Sequence, residues 1–228
     1  MSFPLNTTYL DACVDLTKVH GELVNLGFEG IIRYCAPGNS WKAIREPEAL
    51  SQKAHNLKLA LVYESTAQDA LKGTNEGKLA GAIAAKAAAT VGLPPNNGSV
   101  LFASTDFDVT KDHLEVVAAY VTAFKEAAPG YGIGLYGNGL TNDYLFEKKI
   151  ITVRWITQSM GFTGSKESLE GNRYELVQRL PERVAGMDTD PDSLREAGLD
   201  IGARVPFSSA QQKPGLFASA EAELKKLV

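Results

Sequence analysis

Cysteine and histidine are scarce in this 228-residue chain, and long apolar runs are missing. Its two cysteines, Cys13 and Cys35, are too few for a disulfide framework or a four-thiolate metal site. They lie just past the ends of the first two strand-like runs and could approach within disulfide range. With no export signal, free thiols are expected. The three histidines, His20, His55 and His113, show no H-x-H or H-E-x-x-H spacing, which argues against a histidine-built metal centre. No metal and no cofactor is expected. No apolar run reaches the roughly 18 to 20 residues of a membrane span. The opening Met-Ser-Phe-Pro-Leu-Asn also lacks the basic start and apolar stretch of a secretory signal. The expectation is a protein synthesised in the cytoplasm without a recognisable signal peptide. The net charge is −4 and the Lys and Arg residues are scattered, so there is no concentrated basic face for nucleic acid. A neutral or weakly charged ligand fits better.

What is present is an ordinary globular composition, 44% hydrophobic and 22% charged. Short strand-like runs alternate with helical runs, joined by brief Gly, Pro, Asn or Asp punctuation, which is the signature of parallel βαβ units. The runs fall at about 8–12, 28–34, 59–64, 99–105 and 131–136, followed by 151–157, 174–178 and 184–188. Between the first five lie helical stretches with one apolar face: Val19, Leu23 and Leu26; Leu50, Ala54 and Leu57; a long Ala-rich stretch over 75–91; and Leu114, Val117, Val121 and Phe124. A short helix near 140–146 follows. The pattern predicts one domain over 1–228, a TIM-type (β/α) barrel of five βα units followed by three nearly bare strands. Its core covers about 7–192, and a peripheral segment after about 205 ends in a short helix at 218–227.

In such barrels the reactive side chains sit at the C-terminal ends of the strands. Those ends carry Asp11, Arg33 with Tyr34, Glu64, Asp106 with Asp108, Tyr136, Trp155, Gln178, and Asp188 with Asp190. Acids dominate this rim. Like charges a few ångströms apart cannot all ionise, so at least one carboxyl should keep its proton. Glycoside hydrolysis needs one protonated acid for the leaving oxygen and a second group to stabilise the sugar cation or activate water. Tyr34, Tyr136 and Trp155 offer flat faces for a sugar ring, and Gln178 and Asn138 offer amides for its hydroxyl or acetamido groups. Each acid also has a plainer reading. Asp106 and Asp108 could be turn or cap acids, Glu64 could only pair with Arg33, and Asp190 and Asp192 sit in a Met-Asp-Thr-Asp-Pro-Asp stretch that reads as turn chemistry.

The set Tyr-Leu-Asp11, Ile-Arg33-Tyr34, Val-Tyr63-Glu64, Ala-Ser-Thr-Asp106-Phe-Asp108, Gly-Leu-Tyr136-Gly and Gly-Met-Asp188-Thr-Asp190 resembles a glycoside-hydrolase-like domain family formerly of unknown function. That family is similar to the glycoside hydrolase family 25 muramidases. The resemblance implies a barrel of five βα units and three further strands, with acids at Asp11, at Asp106 and Asp108 in place of a D-x-E motif, and at Asp188. Asp108 stands where the muramidases have their donor Glu, so either Asp108 or Glu64 is the implied proton donor. Asp11, Asp106 and Asp188 would position and stabilise, and Arg33, Tyr34, Tyr136, Asn138, Trp155, Gln178 and Asp190 would bind substrate. The implied activity is a lysozyme-like hydrolase acting on an amino-sugar polymer such as peptidoglycan, delivered to the cell wall by a route other than a signal peptide. Two alternatives stand beside it: a non-catalytic carbohydrate-binding barrel, and a metal-dependent phosphoester hydrolase using Asp106, Asp108 and Glu64. The oligomeric state is left open.

Overall fold

The computed structural model describes residues 6–38 and 40–204. Five βα repeats open the chain. Strand β1 (Thr7–Ala12) leads to α1 (His20–Asn25), β2 (Gly30–Cys35) to α2 (Glu46–Ala54), and β3 (Lys58–Tyr63) to α3 (Thr74–Thr90). Then β4 (Val100–Ser104) leads to α4 (Leu114–Ala127), and β5 (Gly132–Gly137) to α5 (Gly139–Glu147). Strand β6 (Val153–Ile156) is followed by a short helix, α6 (Ser165–Glu170), and the chain continues through β7 (Leu176–Gln178), β8 (Glu182–Val184) and β9 (Met187–Leu194). Strands β1 to β7 pair in sequence order, all parallel. Strand β9 then closes the sheet between β7 and β1, giving a TIM-type barrel of eight strands.

The closing strand departs from the all-parallel arrangement of a regular TIM-type barrel. The chain turns back through the β8–β9 hairpin, so β9 is antiparallel to both of its barrel neighbours. It therefore enters the barrel from the end at which the parallel strands leave it. The turn is made at Ala185 and Gly186, both with positive φ, the geometry a two-residue hairpin loop demands. The expected closing helix at 218–227 lies outside the described residues.

Side chains alternate across each strand. One set fills the barrel with Tyr9, Ile32, Val62, Phe102, Trp155 and Leu176, and Ile201 packs with them from the segment after β9. Gly30 and Gly134 lie beneath Tyr9 and Phe102, where a Cβ would overlap the rings, so bulky and absent side chains interlock. The other set meets the helices. There α3 lies close on α4, because Gly77 and Gly81 leave no Cβ between the helix and the backbone carbonyls of Tyr120 and Phe124.

Two helix faces differ from their sequence reading: Leu26, read as inward with Val19 and Leu23, is 44% exposed at the end of α1, and α2 departs as well. Leu50 is 43% exposed, while α2 buries Glu48, Ala49 and Gln52 instead. The reason is Arg33, which points outward from β2 and needs a buried carboxylate opposite it. Cys13 and Cys35 are free thiols, and burial pushes the Cys35 thiol up to about 12.

Candidate active site

At the C-terminal end of the parallel strands, β1 and β9 bring three aspartates to the barrel wall. Asp11 stands opposite Asp190 in the antiparallel register, and Asp192 lies two residues deeper on the same face of β9. Asp11 is 1% exposed and accepts a hydrogen bond from Gln178 Nε2 at 2.8 Å. Burial pushes its carboxyl well above the ordinary carboxylate range and Asp190 adds to this, while the Gln178 hydrogen bond opposes it. Asp192 is fully buried and accepts from Trp155 Nε1 at 2.8 Å through Oδ1, whereas its Oδ2 has no hydrogen-bond partner among the described residues. Burial, and then the Asp11 charge, raise it well above that range too. Burial also raises Asp190.

Across the barrel Glu64 follows β3 and Asp106 follows β4. Lys42 Nζ sits 2.6 Å from Glu64 Oε1 and 5.0 Å from the centre of the Tyr34 ring, and Ser104 Oγ donates to Glu64 Oε2 at 3.4 Å. Asp106 is exposed at the mouth. Partial desolvation against the wall raises its carboxyl and the Glu64 charge adds to this, with Lys42 opposing. Tyr136 completes the wall: its hydroxyl donates to Gln178 Oε1 at 2.8 Å, so Tyr136, Gln178 and Asp11 form one hydrogen-bonded chain. This end can therefore hold a protonated carboxyl and an ion-paired carboxylate side by side.

Of the residues picked out from sequence, Asp11, Glu64, Asp106, Asp190, Tyr34, Tyr136 and Gln178 meet at this end, and five others have different surroundings. Asp188 is exposed in the β8–β9 hairpin, opposite Arg183, because the antiparallel strand carries it outside the barrel. Asp108 accepts from Thr163 N at 2.7 Å, Asn138 Nδ2 at 2.8 Å and Thr163 Oγ1 at 3.0 Å. Some desolvation raises its carboxyl, but these hydrogen bonds outweigh it and hold the group below its ordinary range. Asp108 thus clamps the loop after β4 to the loop after β6. Asn138, fully buried, caps α5 by accepting from Thr141 N and donates to Asp108 and Val109 O, which leaves its amide no capacity for a ligand. Arg33 is bound to Glu48 at 2.6 Å and 3.1 Å and donates to Ala12 O, fastening β2 to α2 and β1 on the outside of the barrel.

Trp155 faces the interior but is 1% exposed, wedged edge-on between Phe102 and Tyr136, so its rings are closed to a sugar. Lys42 and Asp192 were not foreseen as site residues. Asp192 had a signal in the alternation of residues 188, 190 and 192, which reads as one strand face once the segment is taken as a strand. Lys42 had none, since it lies in a loop between elements. Among the described residues no group of three or more His, Cys, Asp or Glu side chains is disposed to hold a metal ion, so the metal-dependent alternative finds no donor set there.

A closed α/β barrel with acids at its mouth is an architecture shared with glycoside-hydrolase-like domains. The family model of the Rv2525c-like, glycoside hydrolase-like domain matches residues 22–189, and the chain belongs to that family. Among solved structures it is similar to the Tat-secreted protein Rv2525c of Mycobacterium tuberculosis, with a TM-score of 0.69 and 20% identity over 84% of this chain and 96% of that one. A second likeness is an uncharacterised B. stearothermophilus protein, with a TM-score of 0.60 and 18% identity over 85% and 98% of the two chains. The catalytic domain of the endolysin ply40 from bacteriophage P40 of Listeria monocytogenes is a third, with a TM-score of 0.53 and 13% identity over 80% and 91%. No curated protein matches the chain in sequence. The Mycobacterium relative is Tat-secreted, which overturns the expectation of a protein synthesised without a recognisable signal peptide and delivered by another route.

Proposed function

We propose that this protein is a lysozyme-like hydrolase of amino-sugar polymers such as peptidoglycan, with Asp106 as the proton donor and Glu64 as the ionised partner. The carrying observation is the contrast between neighbours at the mouth. Asp106 is exposed with its carboxyl raised, and Glu64 is held beside it in an ion pair with Lys42. General-acid catalysis needs a reachable proton, which the buried Asp11 and Asp192 cannot present to a glycosidic oxygen. The Glu64 carboxylate, paired with Lys42, would face the positive charge a sugar develops, while Asp11, Asp190 and Asp192, whose carboxyls are raised, would line the wall as hydrogen-bonding groups. The endolysin likeness and the secretion of the Mycobacterium relative agree with a substrate outside the cell.

The test is turnover of purified protein on peptidoglycan and chitin fragments, with products identified by mass, against Asp106→Asn. That exchange keeps the shape and removes the proton, and a fall of roughly 100-fold or more is expected, with binding retained. One observation favours a second reading, a carbohydrate-binding barrel without turnover: the residue in the position of the muramidase donor, Asp108, is engaged by Asn138 and Thr163. Glycan binding with no product from the unaltered protein would select that reading.

A further inference from the structure

The described large apolar side chains with the greatest exposure are Leu180 and Trp41, at 73% and 72%. Both follow barrel strands at the acid-lined end, Leu180 after β7 and Trp41 after β2. Round the barrel, β9 and β1, which carry Asp190 and Asp11, lie between those two strands. Exposed apolar side chains on helices are commonplace. Trp41 differs in being held in place at the mouth. It lies in a turn closed by Ala43 N donating to Ser40 O at 3.2 Å. The next residue is fixed at both ends: Lys42 O accepts from Arg33 Nη1 at 3.3 Å, and Lys42 Nζ reaches Glu64. Ile44 N then donates to Tyr34 O at 2.9 Å, tying the turn to the end of β2.

An aromatic residue on a backbone already fixed at the mouth has the backbone part of its ordering cost met in the free protein, which favours binding. The indole offers a flat face to sugar C–H groups, and the only other tryptophan, Trp155, is closed off in the barrel. Acids stand on both walls of the mouth and Lys42 is taken up by Glu64, which leaves little to attract an anionic ligand. We infer that Trp41 is a stacking platform for a second saccharide ring, outside the acid pocket, so that the protein selects an uncharged or weakly charged oligosaccharide over a single sugar. This inference rests on the glycan reading above and adds chain-length selectivity to it.

The experiment measures binding of N-acetylglucosamine and of its pentamer to the Asp106→Asn protein, with and without Trp41→Ala, by calorimetry and by tryptophan emission. Trp41→Ala should weaken the pentamer roughly tenfold, the scale of one aromatic stacking contact, and leave the monomer unchanged. Trp41→Phe should restore most of the affinity, while the emission change on binding disappears with the indole. Equal pentamer affinity in the Trp41→Ala protein overturns the inference and leaves the glycan reading standing. Absence of binding by every variant, on these sugars and on glycan strands freed of peptide, overturns both.

Discussion

Asp11 and Asp190 face one another across the antiparallel pair that closes the barrel, with Asp192 two residues further in and its Oδ2 unpartnered among the described residues. Three carboxyl groups are thereby packed where a fully ionised set would repel itself.

A stability consequence follows from the raised acids. Asp192 lies well above its ordinary value of 3.8, through burial and then the Asp11 charge, so the folded state holds a proton that the unfolded chain gives up at lower pH. Stability from this group is full below about pH 4 and is lost as pH rises through the folded value. Asp192→Asn keeps an acceptor for Trp155 Nε1 and cannot ionise. Its Tm should exceed that of the unaltered protein at neutral pH by about 2–4 °C or more, the shift that 1 kcal/mol gives in a chain of this size. Thermal scans from acid to neutral pH should show this advantage shrinking toward pH 4, and a constant deficit would contradict it.

Arg33 should behave as a structural residue. Arg33→Met leaves Glu48 charged and buried, 1% exposed, at a cost of about 3–5 kcal/mol in urea unfolding. The double variant Arg33→Met with Glu48→Gln should recover part of that loss. If Arg33 contacted substrate instead, Arg33→Lys would abolish glycan affinity without a comparable change in stability.

Asp108 and Asp106 separate cleanly by what their loss affects. Asp108→Ala removes the acceptor for Asn138 and Thr163, and should cost about 1–3 kcal/mol while speeding amide exchange in the loop after β6. Asp106→Asn should leave stability and exchange nearly unchanged. Exchange spectra that are identical for Asp108→Ala and the unaltered protein would remove the clamp.

Asp188 and Asp190 lie two residues apart and should differ in effect. Asp190→Asn alters the charge beside Asp11 and should change the pH profile of glycan binding, whereas Asp188→Asn, exposed in the hairpin, should not. Matching profiles for the two variants would mean that the strand register does not govern the site.

The contrast between these two acids also marks where sequence reasoning succeeds. The first five βα units were legible because their apolar periods are uninterrupted and Gly or Pro separates them, as at Gly92 with Pro94 and at Pro129 with Gly130. The acids at the ends of β1, β3 and β4 were legible for the same reason. Strand β9 was not. Met-Asp-Thr-Asp-Pro-Asp reads as turn chemistry, since aspartate and proline are depleted in strands, and only barrel closure places Asp192 beside a buried indole. The Trp155 platform failed for a related reason, because period two places a side chain inward without saying how deep it sits. Lys42 escaped because nothing local announces a loop lysine that reaches a strand-end glutamate.

Closure by an antiparallel final strand also sets when the acidic mouth can exist. Gln178 and Asp11, joined by one hydrogen bond, are 167 residues apart in sequence, and Asp190 reaches Asp11 only after the hairpin has turned. Contacts of such separation form late, because the intervening chain must be ordered before they can. As the ribosome releases the chain from its N-terminus, helices α1 to α5 can pack on a growing open sheet while β1 still lacks its last neighbour. Until that neighbour arrives, Asp11 lacks Asp190 opposite it, and the push that this acid adds to its carboxyl is missing. The chemistry of the mouth thus belongs to the finished ring of strands, because its last two acids, Asp190 and Asp192, arrive with the strand that closes it.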